Sequence, residues 1–538
     1  MSRSRVSQAS RSGVLAVQRL TREQGTVIKD WGGRMPVALA YPNSYYLGMS
    51  NLGIHTVYGL LNSRREVVCE RVFLEKDGAG NPIAPVAVES GRPLRDFSVI
   101  AFSVSYELDY FNVVSMLRAA SIPLRAADRD ESHPLVIAGG PCITANPMPL
   151  APFFDCLCIG EAEAILPGLL PALLDGINDK RQDLLKGLAA TPGLYVPACH
   201  NGNPVIRQWT KNLDEHPSVS VVLTPDTELG SLYLIEAERG CSHGCRFCLV
   251  GTVFSPMRFR STEKLLEQAG FGLQYRKRIG LVGPAVSDHP QIEEIIDGLL
   301  AMGGELSISS LRIGAKSGRL LPGLIKGGVQ TVTMAPEAGS QRMRDIINKG
   351  ISEEEILTAI DNAAASGIRQ LKLYFIIGLP GETDEDVQAI IDLTLAGKAM
   401  IEKRKSGTRL TLNIAPFVPK AGTPFQWLPV APLPVLNQRL AWLKKALPPQ
   451  GIRINSESPA WSQVQAVLSR GDSAIAGVLT DIEEMTLAGW RRAAEKNNLD
   501  IDYYAHRKWD RDTELPWGFI DSGIKPEKPG REMGKALN

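Results

Sequence analysis

From Arg34 onward, short apolar runs alternate with amphipathic stretches. MPVALAYPN reads as a strand ending in a turn, GIHTVYGLLNSR as a helix, FSVIAFSVS as a second strand and YFNVVSMLRAA as a helix. PLVIAGGP is a third strand, FDCLCIGEAE a fourth strand with a loop, and AILPGLLPALL the next helix. Strand–helix alternation at this spacing predicts a parallel sheet with helices on both faces. The fold class is therefore α/β, beginning with a doubly wound, Rossmann-like domain over residues 33–215. Ligands of such sheets bind beyond the carboxyl ends of the strands. There the sequence places Ser103 and Ser105, Gly139 and Gly140, Gly160 and Glu161. The plain alternative is that these are ordinary tight turns.

A second series starts near Ser231. SLYLIEAERG, RIGLVGPAVSD, LSISSLRIG, TVTMAPEAG, QLKLYFIIGLPGE and RLTLNIAPFVP read as strands with helices between them. Six strands of this kind fit a partial (β/α)6 TIM-like barrel over residues 216–430, whose chemistry belongs at the carboxyl ends of its strands. After Pro429 the strand rhythm stops, and Pro-rich LPVAPLPV reads as a linker. Residues 431–538 read as a smaller C-terminal α+β region, mostly helical and irregular. Residues 1–32 open with MSRSRVSQASRSG, basic and without the apolar stretch of a secretory signal. They read as a disordered basic tail whose removal costs little stability.

At 538 residues the chain suggests two to four domains. Its 59 basic and 58 acidic residues leave a formal charge of +1, so no global field selects nucleic acid, membrane or an acidic partner. No apolar run reaches the roughly 18 residues that a membrane span needs. The expected compartment is the cytoplasm, with reduced thiols. Eight cysteines in a chain this long make no disulfide scaffold. Cys156 and Cys158 flank one position of a buried strand and read as core residues; Cys69, Cys142 and Cys199 are distant from any cluster.

The other three cysteines fall in ERGCSHGCRFCLVG, Glu238 to Gly251: Cys241, Cys245 and Cys248. No fourth follows. Structural zinc normally takes four protein ligands. A four-iron cluster has four corners; three cysteines hold three irons and leave one open. An open iron can chelate a substrate or cofactor, as an open zinc position binds water.

The spacing C-x-x-x-C-x-x-C, with Phe247 before the last cysteine, resembles the signature of the radical S-adenosylmethionine (SAM) superfamily. The resemblance implies a 4Fe-4S cluster on Cys241, Cys245 and Cys248, SAM chelated at the open iron, and a 5′-deoxyadenosyl radical formed by one-electron cleavage. It also implies cofactor contacts at strand ends. VGPAV resembles the place of the family's Gly-Gly-Glu motif, where this chain keeps Gly283 but lacks the acid. Ser309 and Arg312 in SSLRIG, Glu337 in APEAGS, and Ile377 and Gly378 in FIIGLPGE are the other candidates, the last pair for adenine. His243, inside the cysteine loop, is a candidate proton donor or a solvated bystander. No catalytic residue is singled out.

An α/β domain preceding such a barrel resembles the cobalamin-binding subclass. VIAGGPCITANPMPL and FDCLCIGEAEAILPGLL look like its paired glycine and G-E-x-E loops, and AYPNSYYLGMSNLG, SVSYEL and PEAGSQRMRDIINKG resemble a group with this domain order. The D-x-H-x-x-G motif that supplies a histidine to cobalt is absent, and His55 lies in the wrong frame. Cobalamin then binds without a lower histidine ligand, or the domain has lost it. The resemblance implies methylation or other functionalisation of an unactivated carbon, fed by a low-potential electron donor such as ferredoxin or flavodoxin. Two alternatives stand beside it. One is a cobalamin-free radical SAM enzyme acting on RNA or another macromolecule, for which YRKR (Tyr275 to Arg278) is a weak basic signal. The other is a non-catalytic, metal-stabilised scaffold. If both cofactors bind, Ser103, Gly139 and Gly160 must face the barrel mouth that holds Cys241.

Overall fold

The computed structural model describes residues 17–314 and 317–537. Its first sheet comprises β1 (Met35–Tyr41), β2 (Val67–Phe73), β3 (Val99–Ser103), β4 (Leu135–Gly139), β5 (Cys156–Cys158) and β6 (Leu194–Tyr195), in the order β2-β1-β3-β4-β5-β6. All neighbours are parallel except β5 and β6. The order reverses between β1 and β3, the kind of switch point beside which doubly wound sheets bind ligands.

β2 escapes the sequence pattern because it carries Glu70 and Arg71, yet every position in it is buried. Arg71 is neutralised by Glu23 at 2.6 Å and Glu89 at 2.7 Å. Glu23 belongs to the stretch expected to be a disordered tail. Instead Gln24 bridges to Leu223, and Trp31 donates to Glu70 at 2.7 Å. Residues 17–32 are thus part of the first domain, held by a buried cation that needs their carboxylate. Residues 1–16 of the expected tail lie outside the described residues.

A short strand, β7 (Val205–Ile206), leads to the second unit. β8 (Leu232–Glu236) runs into β9 (Glu238–Arg239), which pairs antiparallel with β10 (Arg258–Phe259). β11 (Arg278–Val282) and β12 (Glu305–Ile308) complete one parallel sheet, ordered β12-β11-β8. β13 (Thr331–Glu337), β14 (Gln370–Ile377), β15 (Arg409–Pro416) and β16 (Arg453–Ser456) form a second parallel sheet. The Leu311 N–H donates to the Thr333 carbonyl at 2.9 Å across the seam between the two. β16 lies beyond residue 430, so the expected boundary there cuts through a continuous sheet.

Along β14, Leu371, Leu373, Phe375 and Ile377 share one core with helix residues such as Ile356, Ile360 and Val387. The alternate positions, Lys372, Tyr374 and Ile376, face the lumen. Past β16, helices Pro459–Arg470, Ile475–Asp481 and Leu487–Lys496 pack into the same core as one face of the first sheet. β17 (Ile520–Asp521) then pairs with β7. No helix among the described residues is long and apolar enough to cross a membrane.

Candidate functional site

The cysteine loop leaves β9 through Gly240. A Cβ there would come 2.4 Å from the Phe254 carbonyl, and φ is +84°, so glycine is required. Arg246 pins the loop from within. Its guanidinium donates to the carbonyls of Asp345 (2.9 Å) and Ile346 (2.8 Å), and its own N–H to Ile347 at 3.0 Å. Asn348 adds bonds to the carbonyls of His243 (3.3 Å) and Gly244 (3.0 Å).

Cys241, Cys245 and Cys248 are free and half-buried. Burial pushes the Cys245 thiol up and the Cys248 thiol up to about 11, and each is raised further by the neighbouring thiols. Among the described residues no three His, Cys, Asp or Glu side chains converge on a single metal ion. A four-iron cluster does not ask for convergence, because each cysteine binds a different iron. Three unpaired thiols on one pinned loop, close enough to influence one another, fit that donor set.

The other barrel candidates gather beside this loop. Glu337 ends β13 after a register shift, in the left-handed region at φ +67°, and Lys349 reaches its Oε1 at 3.3 Å. Both act on Cys245 through space, as does Arg312. The Arg312 N–H donates to Ser287 Oγ at 3.1 Å, and its Nε lies 3.8 Å from Asp288, which also pairs with His243. Exposed Ser309 donates to the Gly283 carbonyl at 3.0 Å. Phe247 is different: it packs against the core shared by the first sheet and the C-terminal helices.

Ile377 and Gly378 are corrected as adenine contacts. Ile377 is fully buried on the helix side of β14. A strand's faces alternate, so the lumen sees Ile376 instead. The Gly378 N–H is taken by Glu382 at 2.6 Å, and a Cβ there would meet Leu436 at 2.5 Å. Gly378 serves a turn and a helix contact.

A cavity of about 420 Å³ runs beneath the first sheet's carboxyl edge. Ser103, Ser105, Gly139, Gly140, Gly160 and Glu161 all line it, together with Glu236, Arg239 and Val282 of the second unit. Its depth is apolar, between sheet residues such as Leu39 and Ala101 and helix residues such as Leu166 and Leu170.

Two of these cavity-lining glycines are required by the backbone itself. A Cβ on Gly140 would lie 2.5 Å from the Val104 carbonyl, and one on Gly160 2.0 Å from the Gln208 carbonyl; both have positive φ. These glycines let backbone pass close to backbone. Glu161 is spent too. Arg258 grips both its oxygens at 2.7 and 2.9 Å, and Arg239 and the Thr210 N–H bind Oε2 at 2.8 and 3.1 Å. Arg239 also binds Glu163 at 2.7 Å and Glu236 through two bonds of 2.8 Å. This network joins the cavity wall to the strand that leads into Cys241. His55 is a core residue: its Nε2 meets the Met49 carbonyl at 3.0 Å, Nδ1 accepts from Val222 at 3.3 Å, and burial lowers its pKa to about 4.

Asn348, Lys349, Glu238, Arg239 and Asp288 were not singled out from the sequence. The signal for Glu238 and Arg239 was their place directly before Cys241. The others become visible only when the turn after helix Gln341–Ile346 and the turn after β11 fold onto the loop.

Residues 235–394 match the model of the radical SAM superfamily, and residues 53–197 match that of the N-terminal region of radical SAM proteins. A protein of Methanocaldococcus jannaschii of uncharacterised function is 31% identical over 444 residues, covering 81% of this chain and 88% of its own length. The chain belongs to the radical SAM superfamily and is a radical SAM enzyme, a membership that implies a 4Fe-4S cluster and SAM. An uncharacterised methyltransferase of Pyrococcus horikoshii is 29% identical over 271 residues, 48% of this chain and 56% of that one. Among solved structures, the cobalamin-dependent SAM radical enzyme OxsB with aqua-cobalamin bound superposes with a TM-score of 0.50 over 94% of this chain and 80% of that one. At 13% identity this likeness concerns the fold alone.

Proposed function

We propose that the chain is a cobalamin-dependent radical SAM enzyme that functionalises an unactivated carbon, with methyl transfer as the favoured outcome. The observation that carries this reading is the cavity of about 420 Å³, built by the first domain and closed by Glu236, Arg239 and Val282 of the barrel. Its polar rim of Ser103, Ser105 and Thr144 and its apolar depth suit the appended arm of a corrinoid without a histidine ligand. When bound, the cluster supplies the electron that cleaves SAM, and the corrinoid carries the transferable methyl group.

The chain's own residues hold and screen. Cys241, Cys245 and Cys248 would ligate the cluster, with Arg246 and Asn348 fixing their loop. Lys349, paired with Glu337, and Arg312 bring two cations beside Cys245, suited to the carboxylate of the methionine part of SAM. The distant likeness to a methyltransferase favours the methyl-transfer outcome over others.

The test is anaerobic purification with hydroxocobalamin supplied, followed by cobalt, iron and sulfide counts. Wild type should hold one cobalt and four irons. Ala101→Trp, which fills the cavity from the sheet side, should lose cobalt and keep iron. Equal cobalt in both, checked with Leu166→Trp from the helix side, would remove the corrinoid from the cavity.

A further inference from the structure

Glu238 has no part in the roles assigned above, yet it is among the most constrained residues of the barrel mouth. It is 1% exposed. Its Oε1 accepts the N–H of Ala285. A Cβ on Gly283 would lie 2.5 Å from its Cγ, so Gly283 is glycine because Glu238 occupies the side-chain space. Its Oε2 is buried without a hydrogen-bond partner. A buried carboxyl oxygen left unpaired is costly, and such a group in a folded protein asks for an explanation. Arg239, its neighbour in sequence, is committed to Glu161, Glu163 and Glu236. The charged side chains that bear on Glu238 are both acidic, Glu236 at the end of β8 and Asp288 after β11. Burial first, then these acids, raise its pKa to about 7.

The turn that Glu238 holds is the one from Gly283 to Ala285. Gly283 is half-buried and Pro284 exposed, so the turn's outer side is open while the carboxyl supports it from beneath. The turn itself carries no acid. We propose that Glu238 is the positioning residue for the methionine part of SAM: it fixes the turn through Ala285 and places beneath it the negative charge that an ammonium group on the outer side requires. The inference rests on membership of the radical SAM superfamily, not on the presence of cobalamin. It assigns Gly283 a second reason for being glycine: the absence of a side chain brings the acid, the turn and the ligand's cation into line.

The experiment measures equilibrium binding of SAM and of 5′-deoxyadenosine, which lacks the methionine part, to the anaerobically reconstituted protein. Glu238→Gln keeps the acceptor for Ala285 and removes only the charge. It should weaken SAM on the order of tenfold, the effect of losing one interaction with a charged group, and leave 5′-deoxyadenosine unchanged. Wild-type affinity for SAM should fall as pH drops through about 7, where the carboxyl takes up its proton, and the Gln variant should lose that dependence. Its melting temperature should not fall, because a neutral amide replaces a buried charge without a counter-ion. Equal SAM affinity in wild type and Glu238→Gln, or equal weakening of both ligands, overturns the proposal, as does a pH profile that survives the substitution. Glu238→Ala removes the Ala285 contact as well and should bind SAM still more weakly; the Gln variant alone decides if the Ala variant does not fold.

Discussion

Replacing Arg239 by Gln would remove the cation at the centre of the network between the two units. Glu163 takes both its side-chain hydrogen bonds from Arg239, at 2.7 and 3.2 Å, while Glu161 keeps the bidentate grip of Arg258. The Arg239 side chain is 10% exposed and the Glu163 side chain 4%, so the substitution strands a buried carboxylate. Breaking a buried pair from one side costs about 3–5 kcal/mol. The pH dependence identifies the cause. In the wild type, burial works to raise Glu163 and the Arg239 guanidinium overrides it, holding the carboxyl below its usual 4.5. That stability is present above 4.5 and is lost as pH falls through the folded value. Without Arg239, burial, the largest influence, is opposed only by the residue's own backbone hydrogen bond and by His216, so Glu163 should rise above 4.5 in the folded state, and ionising it then opposes folding by up to about 1.4 kcal/mol per pH unit. The penalty of Arg239→Gln should therefore grow between pH 5 and pH 8. Urea unfolding at pH 5, 6.5 and 8, followed by tryptophan fluorescence, measures it. A penalty below about 1 kcal/mol, or one equal at all three pH values, would refute the account.

Glu23→Ala removes one of the two carboxylates on buried Arg71 and should cost about 3 kcal/mol, seen as a lower melting temperature; a shift no larger than that of exposed Asp30→Ala would show that residues 17–32 are dispensable. Gly140→Ala should destabilise the protein by about 1–3 kcal/mol through its positive φ and the Val104 carbonyl, by the same amount with and without hydroxocobalamin in the thermal melt; a loss of cobalt with no loss of stability would return this glycine to the ligand. Asn348→Ala frees the carbonyls of His243 and Gly244 and should lower iron retention after desalting, while Asn348→Asp, unable to donate, should behave the same way.

The cysteine loop was legible because its chemistry is contiguous: three thiols within eight residues, at the end of a strand. The first sheet was legible where strands are apolar throughout. β2 was not, because its Arg71 is neutralised by Glu23 and Glu89 from other parts of the chain, and a linear pattern cannot show compensation at a distance. β16 was missed for a related reason: RINS is short and polar, and it becomes a strand by pairing with β15. Ile377 failed by parity. FIIG marks the strand end, but one residue decides which face meets the lumen, and only the helix packing fixes that. Glu161 lay where it was expected, on the cavity wall, yet the arginines that occupy it come from 78 and 97 residues further along. Positions at strand ends were thus readable, while the partners that decide their roles were not.

The pairing of β7 with β17 sets an order of events during synthesis. Val205 and Ile206 cannot find their partners until Ile520 and Asp521 have left the ribosome, and Arg207 waits for the Ser522 carbonyl, 315 residues downstream. Until then the helices from residue 459 onward are also missing, so the helix Tyr110–Ala119, which packs in the same core as one face of the first sheet, lacks the Trp461 and Trp490 rings that meet its Phe111. The domain made first is therefore finished last. A ribosome paused anywhere in the barrel holds a nascent chain with apolar residues such as Phe111 uncovered, the kind of surface that chaperones bind and that aggregates when they do not.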